Sequence, residues 1–433
     1  MRGLIALLLM VAATPAVAQT PSPPTTAAVA DPSLIARANE LVAVVAGTGN
    51  FDAYFSPGFH AALPKDKWDA VIASVTASMG KPMAVDRLTA TSPWGALLRL
   101  RFERGIVNAQ IAVDPAAPHQ VTGLLFTGVE VAGDSLDKLA ADFRALPGAG
   151  GFGIYALGDG APRLVAGVNS DQPAPLGSAF KLWVLGELAR EVAAGERKWA
   201  DVVPVGTASL PSGILQGWPA GSPVTLQTLA TLMISISDNT ATDTLVTLEG
   251  TRLDRFVATA GAADLVPVLT TRQMFAIKSA ASSDLAATWG KTPPAGRRKL
   301  LDASAERLAA TPVDVAMFTG KPVAIDTLEW FASPAQTAAI LDWLRTKGGD
   351  TALSILAVNP GIDASTRARF DYIGFKGGSE PGVITLNFLV KRKDGRWLAA
   401  AANWHRPDAG VDTTTFIQLA TRVLVMAADA KLP

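Results

Sequence analysis

Gly177-Ser178-Ala179-Phe180-Lys181-Leu182-Trp183-Val184-Leu185 is the stretch that decides how this chain reads. It places a hydroxyl and an amine at i and i+3, so on a helix both side chains stack on one face. An amine kept neutral by burial or by a neighbouring cation can accept the hydroxyl proton and turn serine into a nucleophile. Taken alone, S-x-x-K equally describes a lysine snorkelling from a core helix. The string occurs three times: Ser78-Met79-Gly80-Lys81, Ser135-Leu136-Asp137-Lys138 and Ser178-Ala179-Phe180-Lys181. The first ends at a glycine and the second sits in a charged amphipathic segment, so both read as solvated faces. Only the third opens an apolar helix (179–193) straight after a hairpin, where an unpaired ammonium is costly.

Composition leaves few alternatives to a hydroxyl and lysine chemistry. The 433 residues contain no cysteine and three histidines, His60, His119 and His405, scattered along the chain. Thiol nucleophiles, disulfide frameworks and cysteine-ligated metals are excluded, no metal site or cofactor is expected, and a Ser-His-Asp triad has few candidates. Lys plus Arg and Asp plus Glu are 38 each, so the basic surplus that nucleic-acid binding by phosphate neutralisation requires is missing. Residues 1–18 read as a signal peptide: Arg2, an apolar run over 3–13 too short to span a bilayer, and Ala16-Val17-Ala18 before Gln19. This predicts a periplasmic or secreted protein cleaved near Ala18. Pro204, Pro211, Pro219 and Pro223 break the uncharged stretch 202–237, which reads as buried or groove-lining chain without stable membrane insertion.

Outward from the central stretch, the pattern predicts an α+β chain in two parts. Residues 19–32 are a Pro/Thr/Ala linker. Residues 33–132 form an α+β domain. Ser33 is read as the cap of a first helix and 65–79 as a second, and four strand-like runs follow at 83–91, 94–103, 106–113 and 120–131. Helices followed by consecutive strands give a curved antiparallel sheet. Residues 133–150, an amphipathic piece and a glycine-rich piece, are the boundary linker. Residues 151–433 hold a hairpin (153–157 and 163–169), a helix-rich middle, three strands (370–376, 383–391, 396–403) and a terminal helix (412–428). That order describes an antiparallel sheet covered by helices with an all-helical lobe inserted.

Two further motifs follow the first in order. Ser237-Asp238-Asn239 follows an apolar helix that ends at Ile236; Asn239 reads either as a cap of the next helix or as a site residue, and Ser237 as a hydroxyl able to relay a proton. Lys-Gly-Gly occurs twice. Lys347-Gly348-Gly349 ends a helix as an ordinary C-cap, whereas Lys376-Gly377-Gly378 ends a strand, with its cation at a sheet edge that substrate backbone can approach.

In this order, Ser178-x-x-Lys181, Ser237-Asp238-Asn239 and Lys376-Gly377-Gly378 resemble the signature motifs of the penicillin-recognising serine hydrolases, class A β-lactamases and penicillin-binding proteins. The resemblance covers roughly 150–430, and the first domain is similar in length and order to the NTF2-like, steroid-isomerase-like cone fold, as in the two-domain β-lactamase-like protein of clavulanic-acid biosynthesis. It implies Ser178 as acyl-accepting nucleophile, Lys181 as its base, Ser237 as proton relay and Asn239 as a substrate contact. Lys376 binds the substrate carboxylate beside Gly378, and the backbone N–H groups of Ser178 and Ser379 form the oxyanion hole. Trp218 reads as a wall of the substrate groove or as a core indole. Two departures stand out. Gly377 replaces the usual hydroxyl residue after the lysine, which shifts carboxylate recognition toward Ser379. The E-x-x-L-N pattern that activates the deacylating water is missing; in the long loop from Thr271 to Phe331, Glu329 is the candidate replacement base, or else a structural rim residue.

The leading expectation is therefore an exported serine hydrolase acting on amide, ester or β-lactam substrates that carry a carboxylate, with weak β-lactamase or esterase activity. The alternative is a penicillin-binding or sensor protein, acylated or occupied without useful turnover. A third reading places a small apolar ligand in the first domain, near Asp52, Tyr54, His60 and Asp69, although no acid/base pattern supports catalysis there.

Overall fold

The computed structural model describes residues 28–362 and 364–429. The signal-peptide reading and most of the 19–32 linker lie outside the described residues. The chain divides into two compact units between Asp134 and Ser135.

In the first unit, helix Pro32–Val45 is capped by Asp31, whose carboxylate accepts from Ser33 N at 2.8 Å, so the cap lies two residues before the serine expected to supply it. Two short helices, Phe51–Tyr54 and Pro57–Ala62, then precede helix Lys65–Met79; only the last had a periodicity long enough to read. Strands Pro82–Ser92, Gly95–Phe102, Gly105–Val113 and Val121–Val131 pair in sequence order as an antiparallel meander. Period-two patterning sends Ala96, Leu98, Leu100 and Phe102 into the core with Leu34, Leu41 and Val44, while Arg99 and Arg101 alternate with them.

The second unit begins with a correction. The segment expected as a linker over 133–150 contains helix Leu136–Arg144, capped by Ser135, and strand Ala149–Leu157 starts inside it. Leu139 and Phe143 are buried against Phe152 and Phe416, so the amphipathic face seen in the sequence packs on the sheet. The sheet is antiparallel, in the order Phe370–Glu380, Val383–Arg392, Trp397–His405, Ala149–Leu157, Arg163–Val168. Both its faces are covered. Phe388, Val390, Leu398 and Ala400 pack toward helices Leu136–Arg144 and Thr413–Asp429, whereas Leu389, Ala399 and Tyr155 join the core around helix Lys181–Ala193. This continuous burial explains why the strand sequences read as apolar runs rather than alternating ones. Strand Phe370–Glu380 continues past Lys376, where the sequence reading ended it. The stretch expected as a long loop from Thr271 is instead largely helical, with helices Thr271–Lys278, Ser283–Lys291, Pro294–Ala303 and Ala305–Ala310.

Candidate active site

Ser178 sits on a 3-10 turn, Gly177–Phe180, that runs directly into helix Lys181–Ala193. That helix is apolar nearly all round and is buried accordingly; Lys181 has 0% exposure. The turn is held from two sides. Leu176 donates its N–H to Trp330 O at 2.8 Å, and the Phe180 ring stacks on Trp330 with centroids 3.9 Å apart. From the other side, strand Phe370–Glu380 presses so closely that a Cβ on Gly378 would overlap Leu176 O and lie 2.6 Å from Ser178 N. Gly177, at φ +48°, has no room for a Cβ either, since it would fall 2.9 Å from Ser379 N. Glycine at both positions therefore brings the Ser178 and Ser379 backbones together.

Lys181 Nζ directs its protons to Ser237 O (2.8 Å), Ser237 Oγ (3.1 Å) and Asn239 Oδ1 (2.7 Å); Ser178 Oγ is not among these partners. Lys376 Nζ donates to the same Ser237 Oγ at 3.1 Å and to Gly377 O at 2.6 Å. Burial first, then the neighbouring Lys376, lowers the Lys181 pKa well below the usual lysine value. Burial brings the Lys376 pKa down to about 7.

The turn carrying Ser237 is tightly tied. Ser237 has φ +58°, a region that costs a non-glycine residue about 1–3 kcal/mol and persists only where its surroundings enforce it. Here Ser212 Oγ donates to Ser237 O at 2.7 Å. Asp238, not Asn239, caps helix Asn239–Glu249: it accepts from Ala241 N at 2.8 Å, and its other oxygen takes Ile214 N and Leu215 N at 2.7 and 2.9 Å. Asn239 is thereby free of capping and spans Lys181 Nζ and Leu210 O, to which its Nδ2 donates at 2.8 Å.

A second charged cluster adjoins Ser178. Glu329 Oε2 accepts from Gly177 N (3.2 Å) and Trp330 N (3.1 Å), and its Oε1 accepts from Lys278 Nζ at 3.0 Å. The same ammonium reaches Glu380 Oε1 at 2.5 Å. Burial disfavours the Lys278 cation, but Glu329 and Glu380 outweigh it and raise its pKa. Burial, then the charge of Glu329, raises the Glu380 pKa well above the carboxylate range. Ser178, Asn239, Phe275, Glu329, Ser379 and Glu380 line one pocket.

The structure thus brings Ser178, Lys181, Ser237, Asn239, Lys376, Gly378, Ser379 and Glu329 to one place. Trp218 is 43% exposed, which excludes the core-indole reading, and it does not line this pocket. Sequence reasoning missed Lys278 and Glu380. Glu380 was within reach, two residues beyond Gly378; Lys278 carries no local pattern that marks it. Among the described residues, no group of three or more His, Asp or Glu could hold a metal, and no helix is long and apolar enough to cross a membrane.

A buried lysine beside a serine turn, a second serine hydroxyl shared by two lysines and a glycine-walled strand edge make up the site. Residues 134–354 match the sequence model of the β-lactamase enzyme family, and the chain belongs to that family. The match includes Ser178, Lys181, Ser237, Asn239 and Glu329. Among solved structures, a β-lactamase from Sphaerobacter thermophilus is 22% identical with a TM-score of 0.47, covering 69% of this chain and 97% of its own. A PBP-A variant, determined as an acyl-enzyme complex with penicillin G, is 18% identical with a TM-score of 0.48 and covers 69% and 96%. A β-lactamase from Chitinophaga pinensis is 17% identical with a TM-score of 0.46, covering 68% and 98%. No curated protein matches.

Proposed function

We propose that this chain is an exported serine hydrolase that forms an acyl-enzyme at Ser178 from amide, ester or β-lactam substrates carrying a carboxylate. The observation that carries the reading is Ser237 Oγ, placed 3.1 Å from each of two buried amines, Lys181 Nζ and Lys376 Nζ. Two ammonium ions sharing one buried oxygen repel each other strongly, so one amine gives up its proton near neutrality and can serve as base.

In this reading the neutral amine is Lys181. It takes the Ser178 proton as Oγ attacks the carbonyl, and Ser237 passes a proton to the leaving group. Charge on the tetrahedral oxygen is met by the N–H groups of Ser178 and Ser379, which Gly378 allows to converge. Asn239 contacts the substrate amide, Lys376 and Ser379 its carboxylate, and Trp218 the outer rim of the groove. Export is supported by the leader-like residues 1–18. The first unit is taken as a non-catalytic, NTF2-like cone, supported by its helices and four-stranded meander.

The second reading, a penicillin-binding protein acylated without useful turnover, is favoured by Glu329. Its two oxygens already accept three hydrogen bonds, which makes it a positioning group for the Gly177 turn rather than a ready base. Burst kinetics with a penicillin and with a chromogenic ester test the proposal. A burst equal to the enzyme concentration followed by slow turnover is expected. The absence of both a burst and ester hydrolysis would refute it.

A further inference from the structure

We propose that Glu380 is the general base of deacylation, and that its protonation makes acyl-enzyme turnover slow at neutral pH and fast at alkaline pH. The inference rests on the acyl-enzyme reading above and concerns the step after it.

The geometry singles out one carboxylate of two. Glu329 and Glu380 share a single ammonium, Lys278 Nζ, at 3.0 and 2.5 Å. Their side chains are 1% and 10% exposed and that of Lys278 is 2% exposed, so a surplus negative charge has little water to screen it. One proton is therefore retained by the pair. Glu329 accepts two backbone N–H groups as well as the ammonium, so both its oxygens are engaged as acceptors. The proton falls to Glu380.

The groups facing Glu380 are Lys278, from helix Thr271–Lys278, and Glu329, from the chain before strand Phe331–Ala332. On its own strand, Lys376 is turned away to Ser237 Oγ. Glu380 lines the pocket with Ser178, next in sequence to Ser379 at the proposed oxyanion site. A water in this pocket would lie between the acyl carbon on Ser178 and the Glu380 carboxylate.

When Glu380 is ionised, the water oxygen bonds to the acyl carbonyl carbon as its proton passes to the Glu380 carboxylate. The tetrahedral intermediate then collapses: the bond from carbon to Ser178 Oγ breaks, the same proton reaches Oγ, and the product leaves as the free acid. Glu380 ends as it began.

The test follows decay of preformed benzylpenicilloyl-enzyme by intact-protein mass spectrometry. For the wild type, the rate should climb about tenfold per pH unit and level off where Glu380 is fully ionised, with a slower plateau in D2O. Glu380→Gln should decay at least about 10²-fold more slowly at the wild-type plateau, with no levelling, while Glu380→Asp recovers part of the lost rate. Asp159→Asn, on an exposed turn, serves as control and should follow the wild type. If the wild-type rate never levels, or Glu380→Gln matches it at every pH, hydroxide does the work and the inference is overturned. If no adduct forms, the acyl-enzyme reading fails and takes this inference with it; an adduct with a pH-independent decay sinks the inference alone.

Discussion

Two unlike charged clusters occur around the turn that carries Ser178. In one, Lys181 and Lys376 converge on Ser237 Oγ, and burial lowers the pKa of both amines. In the other, Lys278 is held between Glu329 and Glu380, and its charge is reinforced. The same residue type is a poor cation in one place and a strong one in the other, because only Lys278 is paired directly with carboxylates, whereas burial and Lys376 outweigh the more distant Asp238 and Asp243 at Lys181. In the proposed mechanism the first cluster accepts the proton in acylation and the second in deacylation, so variants should separate the two steps.

The largest effect is expected on the lysine side. Lys181→Ala should slow acylation by about 10²–10⁴-fold, measured by time-resolved adduct formation, because it removes the base. A loss below tenfold would move the base to Lys376. Gly378→Ala should cost about 10²–10³-fold in the same assay, since the new methyl forces the strand away from Ser178 N and disturbs the oxyanion donors. An unimpaired variant would show that the Ser379 amide is not used.

Glu329→Gln sharpens the contrast from the carboxylate side. Removing the like charge beside Glu380 should lower the Glu380 pKa, so the alkaline rise in deacylation begins at lower pH and neutral-pH turnover increases. A plateau lost, or lowered about 10²-fold, would mean that Glu329 is itself the base. The smallest effect is on binding. Lys376 loses its proton as pH rises through about 7 in the free enzyme, so KM for carboxylated substrates should increase above that pH while KM for neutral esters stays flat. Lys376→Ala should abolish the difference, raising KM for the anionic substrates alone.

The same contrast explains what was legible in the sequence. The lysine side is written in short strings, Ser178 to Lys181 and Ser237 to Asn239, whose spacing survives folding because a single turn or helix start carries each. Strand and helix positions around them were readable from apolar runs and from periodicity. Residues 278, 329 and 380 are single charges separated by about half a hundred residues each, and only tertiary packing unites them. Asp238 took the capping role from Asn239 because its two oxygens satisfy three backbone N–H groups, a distinction no spacing rule contains. Helix Leu136–Arg144 reads as amphipathic but as part of a linker, since its buried face finds its partners some 270 residues later, as in the contact of Phe143 with Phe416.

Three S-x-x-K strings exist, and the account rests on only one of them being chemical. Ser78 lies within helix Lys65–Met79, and Ser135 caps helix Leu136–Arg144 through Lys138 N at 3.2 Å. The direct measurement is peptide mapping of the adduct after incubation with benzylpenicillin, on the wild type and on Ser178→Ala, Ser78→Ala and Ser135→Ala. One penicilloyl group on the peptide containing Ser178, lost in Ser178→Ala and kept in the other two, is the predicted result. An adduct that persists in Ser178→Ala, or that maps to Ser78 or Ser135, would contradict it.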